Sequence, residues 1–222
     1  MTPTHHLPVH HLSDEWLVDY AAGAAPEPVA LLVATHLAYC PACRAVHGKL
    51  EAVGGALLNE IAPAALSDGA WARVEALLDA RPQPAATAAA ASNDDGVPTP
   101  LRRYAPQGLA ALRWSRIGLS TAVSALPCQA SGGYKAWMLK IGPQRAFPHH
   151  AHRGEELLLV LKGSFDDETG HYGIGDVAIY DETVAHRPVA SPEGECICLA
   201  VSSAPIRMTG FFTRLLNPFL RS

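Results

Sequence analysis

Hydrophobic and polar residues follow two different periods along the chain, and the change falls between residues 80 and 100. In the first part apolar positions recur at the three- and four-residue spacing of amphipathic helices. Four segments show this spacing and predict four helices: SDEWLVDYAAG, PEPVALLVATHLAYC, CRAVHGKLEAVGGALLNEIA and SDGAWARVEALLDAR. Ser13 and Ser67 stand where helix N-caps are expected, and Gly23 stands where a helix commonly ends.

Beyond residue 100 the apolar runs are short and are separated by Gly, Pro and Asp turns, as in YKAWMLKI, EELLLVLKGSF, DVAIYD and ECICLAVSS. This pattern is typical of an all-β sandwich or barrel. The segment between the two parts, RPQPAATAAAASNDDGVPTP, has the composition of a linker. We therefore predict an α+β chain of two domains, with a helical bundle over 1–80, a linker over 81–100 and a β domain over 101–222.

Composition narrows the class of protein. Hydrophobic residues make up 49% of the 222 residues, which is enough for a buried core. No apolar run approaches the roughly 20 residues that a membrane span needs, and the N-terminus lacks the pattern of a secretory signal. We expect a cytoplasmic protein without membrane association. In that compartment the five cysteines are expected to be ligands, sensors or buried side chains instead of structural disulfides.

Charge is distributed unevenly between the two parts. Residues 1–80 contain nine acidic and three basic side chains, whereas residues 81–222 contain twelve acidic and fourteen basic ones. Phosphate would repel the acidic helical part, so we expect no direct binding of nucleic acid by it. A basic protein surface is the better partner for it.

The stretch THLAYCPACRAVHGKL contains three possible metal ligands, His36, Cys40 and Cys43. Residues four and seven positions apart share a helix face, and Pro41 marks the point where one helix would end and another begin. An imidazole and two thiolates are three of the four ligands of a structural zinc ion. The fourth would come from His10, His11 or His47, of which we favour His11. The alternative is that these side chains only pack, or that the two cysteines form a redox pair; the spacing favours zinc.

A second set of ligands occurs in HHAHRGEELLLVLKG, where His150, His152 and Glu156 have the spacing of the first cupin metal motif. Residues two apart on a strand point to the same side, so both histidines can face a barrel interior. The later stretch GDVAIYDETVAH is similar to the second cupin motif, and its His186 is the expected fourth ligand. Asp181 and Thr183 replace the usual Pro and Gly there. Such a set suits Zn, Fe, Mn, Ni or Cu, among which we favour zinc; the alternative is a barrel without metal.

Two cysteines in ECICLAV, Cys196 and Cys198, lie on one face of a predicted strand, with Ile197 on the other. They could sense redox state, but we interpret them as buried apolar side chains, because free cysteine is among the most buried residue types.

The order HHLSDEWLVDYAAG, then VATHLAYCPACRA, resembles the zinc-binding domain of bacterial anti-sigma factors, and EAVGGALLNEIAPAALSDG resembles the ChrR-type members in particular. Those proteins join this domain to a cupin. The resemblance spans nearly the whole chain and implies that His11, His36, Cys40 and Cys43 bind zinc. It also implies that the helical domain binds one extracytoplasmic-function sigma factor and that an oxidative stress, such as singlet oxygen or an organic peroxide, releases it.

Two functions remain open at this point. In the favoured one the chain is a regulator and not an enzyme, with the cupin as receiver of the signal. In the alternative the cupin is a metal-dependent dioxygenase or isomerase, and the helical domain controls assembly. The four-ligand helical module favours the regulator, because a cupin enzyme has no need of it.

Overall fold

The computed structural model describes residues 7–80, 97–117 and 120–209. The N-terminal part forms the four predicted helices, α1 Asp14–Ala21, α2 Glu27–Tyr39, α3 Pro41–Asn59 and α4 Ala70–Ala80. A short helix, α5 Thr99–Arg102, and a 3-10 turn, Leu109–Ala111, lead into the β domain. Residues 81–96 of the predicted linker lie outside the described residues. Val97 and Leu101, at its end and just after it, are buried in the same apolar cluster as α2.

Twelve strands follow along the described part of the chain: β1 Ser115–Ile117, β2 Thr121–Ala125, β3 Lys135–Ile141, β4 His150–Ala151, β5 Glu156–Lys162, β6 Phe165–Asp167, β7 Gly170–Tyr172, β8 Val177–Tyr180, β9 Ala185–His186, β10 Val189–Ala190, β11 Cys196–Ser202 and β12 Arg207–Met208. They form a six-stranded sheet in the order β1-β2-β3-β11-β5-β8 and two three-stranded sheets, β10-β6-β7 and β12-β4-β9. All pairs are antiparallel. The predicted class, a helical bundle joined to a cupin-like β domain, is confirmed.

The central strands β5 and β11 of the large sheet are buried on both faces, and this explains their continuous apolar sequence. In β5, Leu157 and Leu159 belong to one apolar cluster, and Leu158 and Val160 belong to the other. The first of these apolar clusters also contains Leu17 of α1 and five buried residues of α2, Val29, Leu31, Leu32, Val33 and Leu37, so these helices cover the outer face of the sheet. The other apolar cluster fills the interior of the barrel. A strand covered on both sides has no polar face to alternate with.

The helices differ sharply in how much of their surface is covered. Eight of the thirteen residues of α2 are buried, because the helix lies between the sheet and its neighbours. In α3 only Cys43 is buried, and in α4 no residue is buried. The apolar faces that define α3 and α4 as amphipathic are therefore largely open to solvent.

Two details of the helix ends test the predicted caps. Ser13 precedes α1 as expected, although its side chain makes no capping hydrogen bond, and Gly23 has the positive φ of 68° that favours glycine after a helix. The prediction for Ser67 is wrong. The chain makes a further turn through Gly69, α4 begins only at Ala70, and the Ser67 hydroxyl instead accepts a hydrogen bond from Arg73 at 2.7 Å.

Among the described helices no single one is long and apolar enough to cross a membrane; only α2 and α3 taken together pass on length and composition, and they are bent by 118° at the break between them.

Candidate metal centres

Two clusters of possible metal ligands occur in the described part of the structure, and the first of them forms where α2 and α3 meet. The bend at Cys40 brings Cys40 and Cys43 to the beginning of α3, His36 lies one turn earlier on α2, and His11 arrives from the segment before α1. One ligand atom from each of the four lies within 4.8 Å of the others. His36, Cys40 and Cys43 are buried, whereas His11 is exposed. The structure thus brings together the four residues that the sequence singled out.

Distances within this cluster fit a small tetrahedral cation. The Nδ1–H of His36 donates to the carbonyl of Gly175 at 2.8 Å, which leaves its Nε2 lone pair facing the Sγ of Cys43 at 3.3 Å. His11 Nδ1 lies 3.3 Å from the Sγ of Cys40 and 3.7 Å from that of Cys43. A tetrahedral zinc ion with normal bond lengths separates nitrogen and sulfur ligands by about 3.5 Å.

The Cys43 thiol needs a positive charge nearby to bind as a thiolate. Burial raises the pKa of the Cys43 thiol to about 11, and its hydrogen bond with Cys40 adds to the rise. Burial also lowers the pKa of His36, so its ring is neutral at pH 7. A cation at the centre would stabilise the thiolates, and its binding would release their protons.

The other candidate histidines lie elsewhere. The His10 ring packs on Tyr172 with centroids 4.4 Å apart, and its Nε2 lies 3.1 Å from the carbonyl of His171. His47 Nδ1 lies 3.6 Å from a carboxylate oxygen of Glu51. Neither belongs to the cluster.

The second cluster lies inside the barrel. His150 is on β4, His152 follows that strand, Glu156 begins β5, and His186 is on β9. The β4–β9 pairing sets His150 directly opposite His186. All four side chains are buried, and their ligand atoms lie within 4.8 Å of one another.

Hydrogen bonds outside this cluster determine which ring nitrogens face inward. The Nδ1–H of His150 donates to the Pro148 carbonyl at 2.9 Å, and the Nδ1–H of His186 donates to Asp167 at 2.7 Å. In the tautomer with its proton on Nδ1, each ring presents an Nε2 lone pair, and these two nitrogens lie 3.1 Å apart. His152 Nε2 also lies 3.1 Å from that of His186. Facing lone pairs repel each other, and a cation between them removes the repulsion.

Charge in the second cluster leads to the same conclusion. Burial, with a smaller contribution from the charge of His186, lowers the pKa of His150 to about 3 and that of His152 to about 4. Burial raises the pKa of Glu156 to about 8. Three imidazoles, of which those of His150 and His152 are held neutral, and one carboxyl group are suited to a divalent cation, which would displace the carboxyl proton. Both clusters therefore have donor sets that fit metal binding.

Sequence reasoning missed the residues that support the second cluster. Asp167 accepts hydrogen bonds from the His186 Nδ1–H and, at 2.5 Å, from the Tyr180 hydroxyl. Burial opposes its ionisation, but hydrogen bonds from His186, Thr169 and Tyr180 hold the pKa of Asp167 well below its usual range. The Tyr180 ring stacks on that of His152 at 5.5 Å. Nothing in the FDDETGH stretch distinguishes Asp167 from its acidic neighbours, because only the folded barrel places it beside His186.

The departures from the second cupin motif have a structural account. Asp181 and Thr183 form a local turn in which the Asp181 carboxylate accepts from the backbone N–H of Thr183 at 2.8 Å and from its hydroxyl. The Val184 N–H then donates to the Asp181 carbonyl at 3.2 Å. An aspartate that bonds its own backbone two residues on replaces the Pro and Gly of an ordinary turn.

The structure confirms that Cys196 and Cys198 are buried on one face of a strand. Cys196 and Cys198 are buried in the barrel interior with their sulfurs 3.6 Å apart, and Ile197 packs in the cluster under the helices. The hydrogen bond with Cys196, together with burial, raises the pKa of Cys198.

Both halves of the chain resemble known protein families. Residues 13–44 match the family model described as a putative zinc-finger, and residues 107–205 match the ChrR cupin-like domain. The anti-sigma-E factor ChrR of Cereibacter sphaeroides is 45% identical over 215 residues, which cover 96% of this chain and 98% of that protein. The crystal structure of Rhodobacter sphaeroides SigE in complex with the anti-sigma ChrR matches with a TM-score of 0.75 and 42% identity, covering 87% of this chain and 98% of that one. The chain belongs to the ChrR family of anti-sigma factors.

Proposed function

We propose that this protein is a cytoplasmic anti-sigma factor that sequesters one extracytoplasmic-function sigma factor through residues 1–80 and releases it when the cupin domain, within 101–222, receives a stress signal. The partner would be held away from core RNA polymerase in a 1:1 complex. The proposal assigns regulation to the chain and not catalysis. An oxidative stress, such as singlet oxygen or an organic peroxide, is the proposed signal.

The observation that carries this proposal is the open apolar surface of α3, α4 and the loop between them. Its nine large apolar side chains are between 45% and 79% exposed: Val53, Leu57, Leu58, Ile61, Leu66, Trp71, Val74, Leu77 and Leu78. We call this surface the α3–α4 apolar face. A face of this size is expected to be covered by a partner. The related ChrR was crystallised in complex with SigE, which identifies a sigma factor as the partner to test.

We further propose that zinc binds the first cluster, His11, His36, Cys40 and Cys43, because two thiolates and two imidazoles are its preferred structural ligands. The second cluster, His150, His152, Glu156 and His186, would bind one divalent metal. Zinc is our choice there too, with Fe, Mn and Ni as the alternatives that metal analysis would distinguish.

The contact between the two halves supports communication between the clusters. The turn before β8 touches the first one: the Gly175 carbonyl accepts from His36, and the Asp176 carboxylate accepts from the backbone N–H groups of Val9 and His10 at 2.7 and 2.9 Å. β8 ends at Tyr180, which contacts the second cluster through Asp167 and His152. One strand of four residues thus connects the surroundings of both metals. A change at the cupin metal that moves β8 would alter the support of His36.

A reporter gene driven by the partner sigma factor tests the proposed division of roles. His186→Ala removes a proposed cupin ligand, so we expect the reporter to stay silent under oxidative stress because the signal is no longer received. His171→Ala is the matched control, since the His171 side chain is exposed and bonds to Asp166, outside the cluster. A reporter that is active even without stress in His186→Ala cells, at normal protein levels, would show that the cupin is needed for sequestration itself. Failure of the sigma factor to co-purify with the wild-type chain would refute the function.

Asp167→Asn should weaken metal binding at the cupin alone. An amide in place of the carboxylate no longer holds the His186 Nδ1–H with a charged acceptor, and loss of such support costs about 10- to 100-fold in metal affinity. Titration against a competing chelator measures the effect, with Asp166→Asn as control because the Asp166 side chain is exposed and bonds to His171, outside the cluster. Equal affinities in the two variants would remove Asp167 from the metal site.

A further inference from the structure

A cavity of about 430 Å³ enters the barrel beside the second cluster. Its size lies within the range of roughly 300–1,000 Å³ typical of small-molecule sites. His150 and Glu156 line it, whereas His152 and His186 do not. A metal held by the four residues would therefore be reached from the cavity on its His150 and Glu156 side.

The walls and the ends of this cavity differ in chemistry. Val123, Trp137, Leu139 and Leu158 supply apolar walls. The deep end holds His150 and Glu156, which are 3% and 4% exposed, while the exposed Lys135 lies at the mouth. A ligand that enters would bury an apolar body along the walls and place its leading atoms at the metal.

We propose that this cavity binds an amphipathic monocarboxylate, with its apolar chain along the walls and its carboxylate on the cupin metal. A divalent cation with one carboxylate ligand leaves a net positive charge at the deep end, which favours an anionic oxygen donor. A compact anion with no chain buries no apolar surface against the walls, so it should bind more weakly. The serine hydroxyls of the lining do not compete, since that of Ser202 donates to the Ala204 carbonyl and that of Ser203 donates to the Glu155 carbonyl. The inference rests on the proposed cupin metal, but not on binding of the sigma factor.

Titration calorimetry on the full metal-loaded chain separates the contributions of head and chain. Octanoate should bind saturably, octanol should bind at least about 10-fold more weakly, and acetate should show no saturable binding. His186→Ala removes a ligand that does not line the cavity, so octanoate should then bind no better than octanol. Metal content is measured on each sample, so that loss of the proposed metal is distinguished from failure of the cavity to bind.

Two variants test the location. Val123→Phe should fill the cavity and weaken octanoate binding by about 10-fold or more, whereas Ile179→Phe adds the same ring on the outer side of β8 and should change nothing. If Val123→Phe does not fold, Ala125→Phe at the exposed mouth replaces it. Equal binding to the cavity-filled chain and to Ile179→Phe would place the ligand elsewhere, for example on the α3–α4 apolar face, and would overturn the proposal. Octanoate binding that is unchanged in His186→Ala would overturn the role of the metal.

Discussion

Replacing Cys40 or Cys43 with serine is expected to abolish sigma factor binding and to unfold much of the helical half. Structural zinc can contribute about 10 kcal/mol to folding, which is comparable to the whole stability of a small domain. Because burial raises the pKa of Cys43, a thiolate at this position is unfavourable when no cation lies beside it. Far-ultraviolet circular dichroism and pull-down with the sigma factor measure the two losses.

The matched control for this prediction is Cys128→Ser, because Cys128 is half-buried and lies outside both clusters. It should retain helix content and binding. The β sheet should also survive the ligand substitutions, although α2 packs on it, because the barrel has an interior cluster of its own. Helix content that does not respond to a chelator in the wild-type chain would show that the first site does not stabilise the fold.

Substitution on the α3–α4 apolar face is expected to remove sigma factor binding without unfolding the chain. Trp71 and Leu78 are 67% and 61% exposed, so alanine at either position loses little packing, and alanine favours a helix. An interface hot spot contributes about 2 kcal/mol or more and tryptophan is enriched among hot spots, so Trp71→Ala should bind at least about 30-fold more weakly, and Leu78→Ala should be weakened by a smaller factor. Surface plasmon resonance with immobilised sigma factor gives the dissociation constants.

Ile179→Ala is the control for the interface, since Ile179 is an exposed apolar residue of β8, on the β domain. It should bind as the wild type does. If Trp71→Ala and Leu78→Ala both bind normally while their thermal midpoints are unchanged, the partner uses another surface and the α3–α4 apolar face is not the interface.

The helices and the main strands follow from local patterns, and their positions agree with prediction because period and turn residues are local properties. The one cap that fails does so for a local reason too: a further turn separates Ser67 from α4, and residue type alone does not reveal it. Burial did not follow as directly. α2 and α3 both show helical periodicity, yet only α2 is covered, because the sheet packs against it.

The candidate ligands also divide into those that local spacing predicts and those that it does not. His36, Cys40 and Cys43 are close on one helical junction, and His150, His152 and Glu156 share one strand region, so spacing alone indicates a cluster. His11 and His186 come from separate elements: His11 was one of three histidines that could complete the first set, and His186 depended on a second motif. Asp167, Tyr180 and the Gly175 carbonyl had no signal at all, because a hydrogen-bond acceptor distant in sequence is defined only by its place in the fold.

The sequence by itself determined the α+β division, the family and both sets of candidate ligands, since periodicity, motifs and ligand spacing can be recognised from the residue order alone. Only the tertiary structure decided that the helical half and the barrel share one apolar cluster and that Gly175 supports His36 across the contact. It also decided that a cavity opens on one side of the second cluster. The physical reason is that packing and hydrogen bonding between distant segments depend on the register of the sheet and on the bend between α2 and α3, which no local pattern specifies.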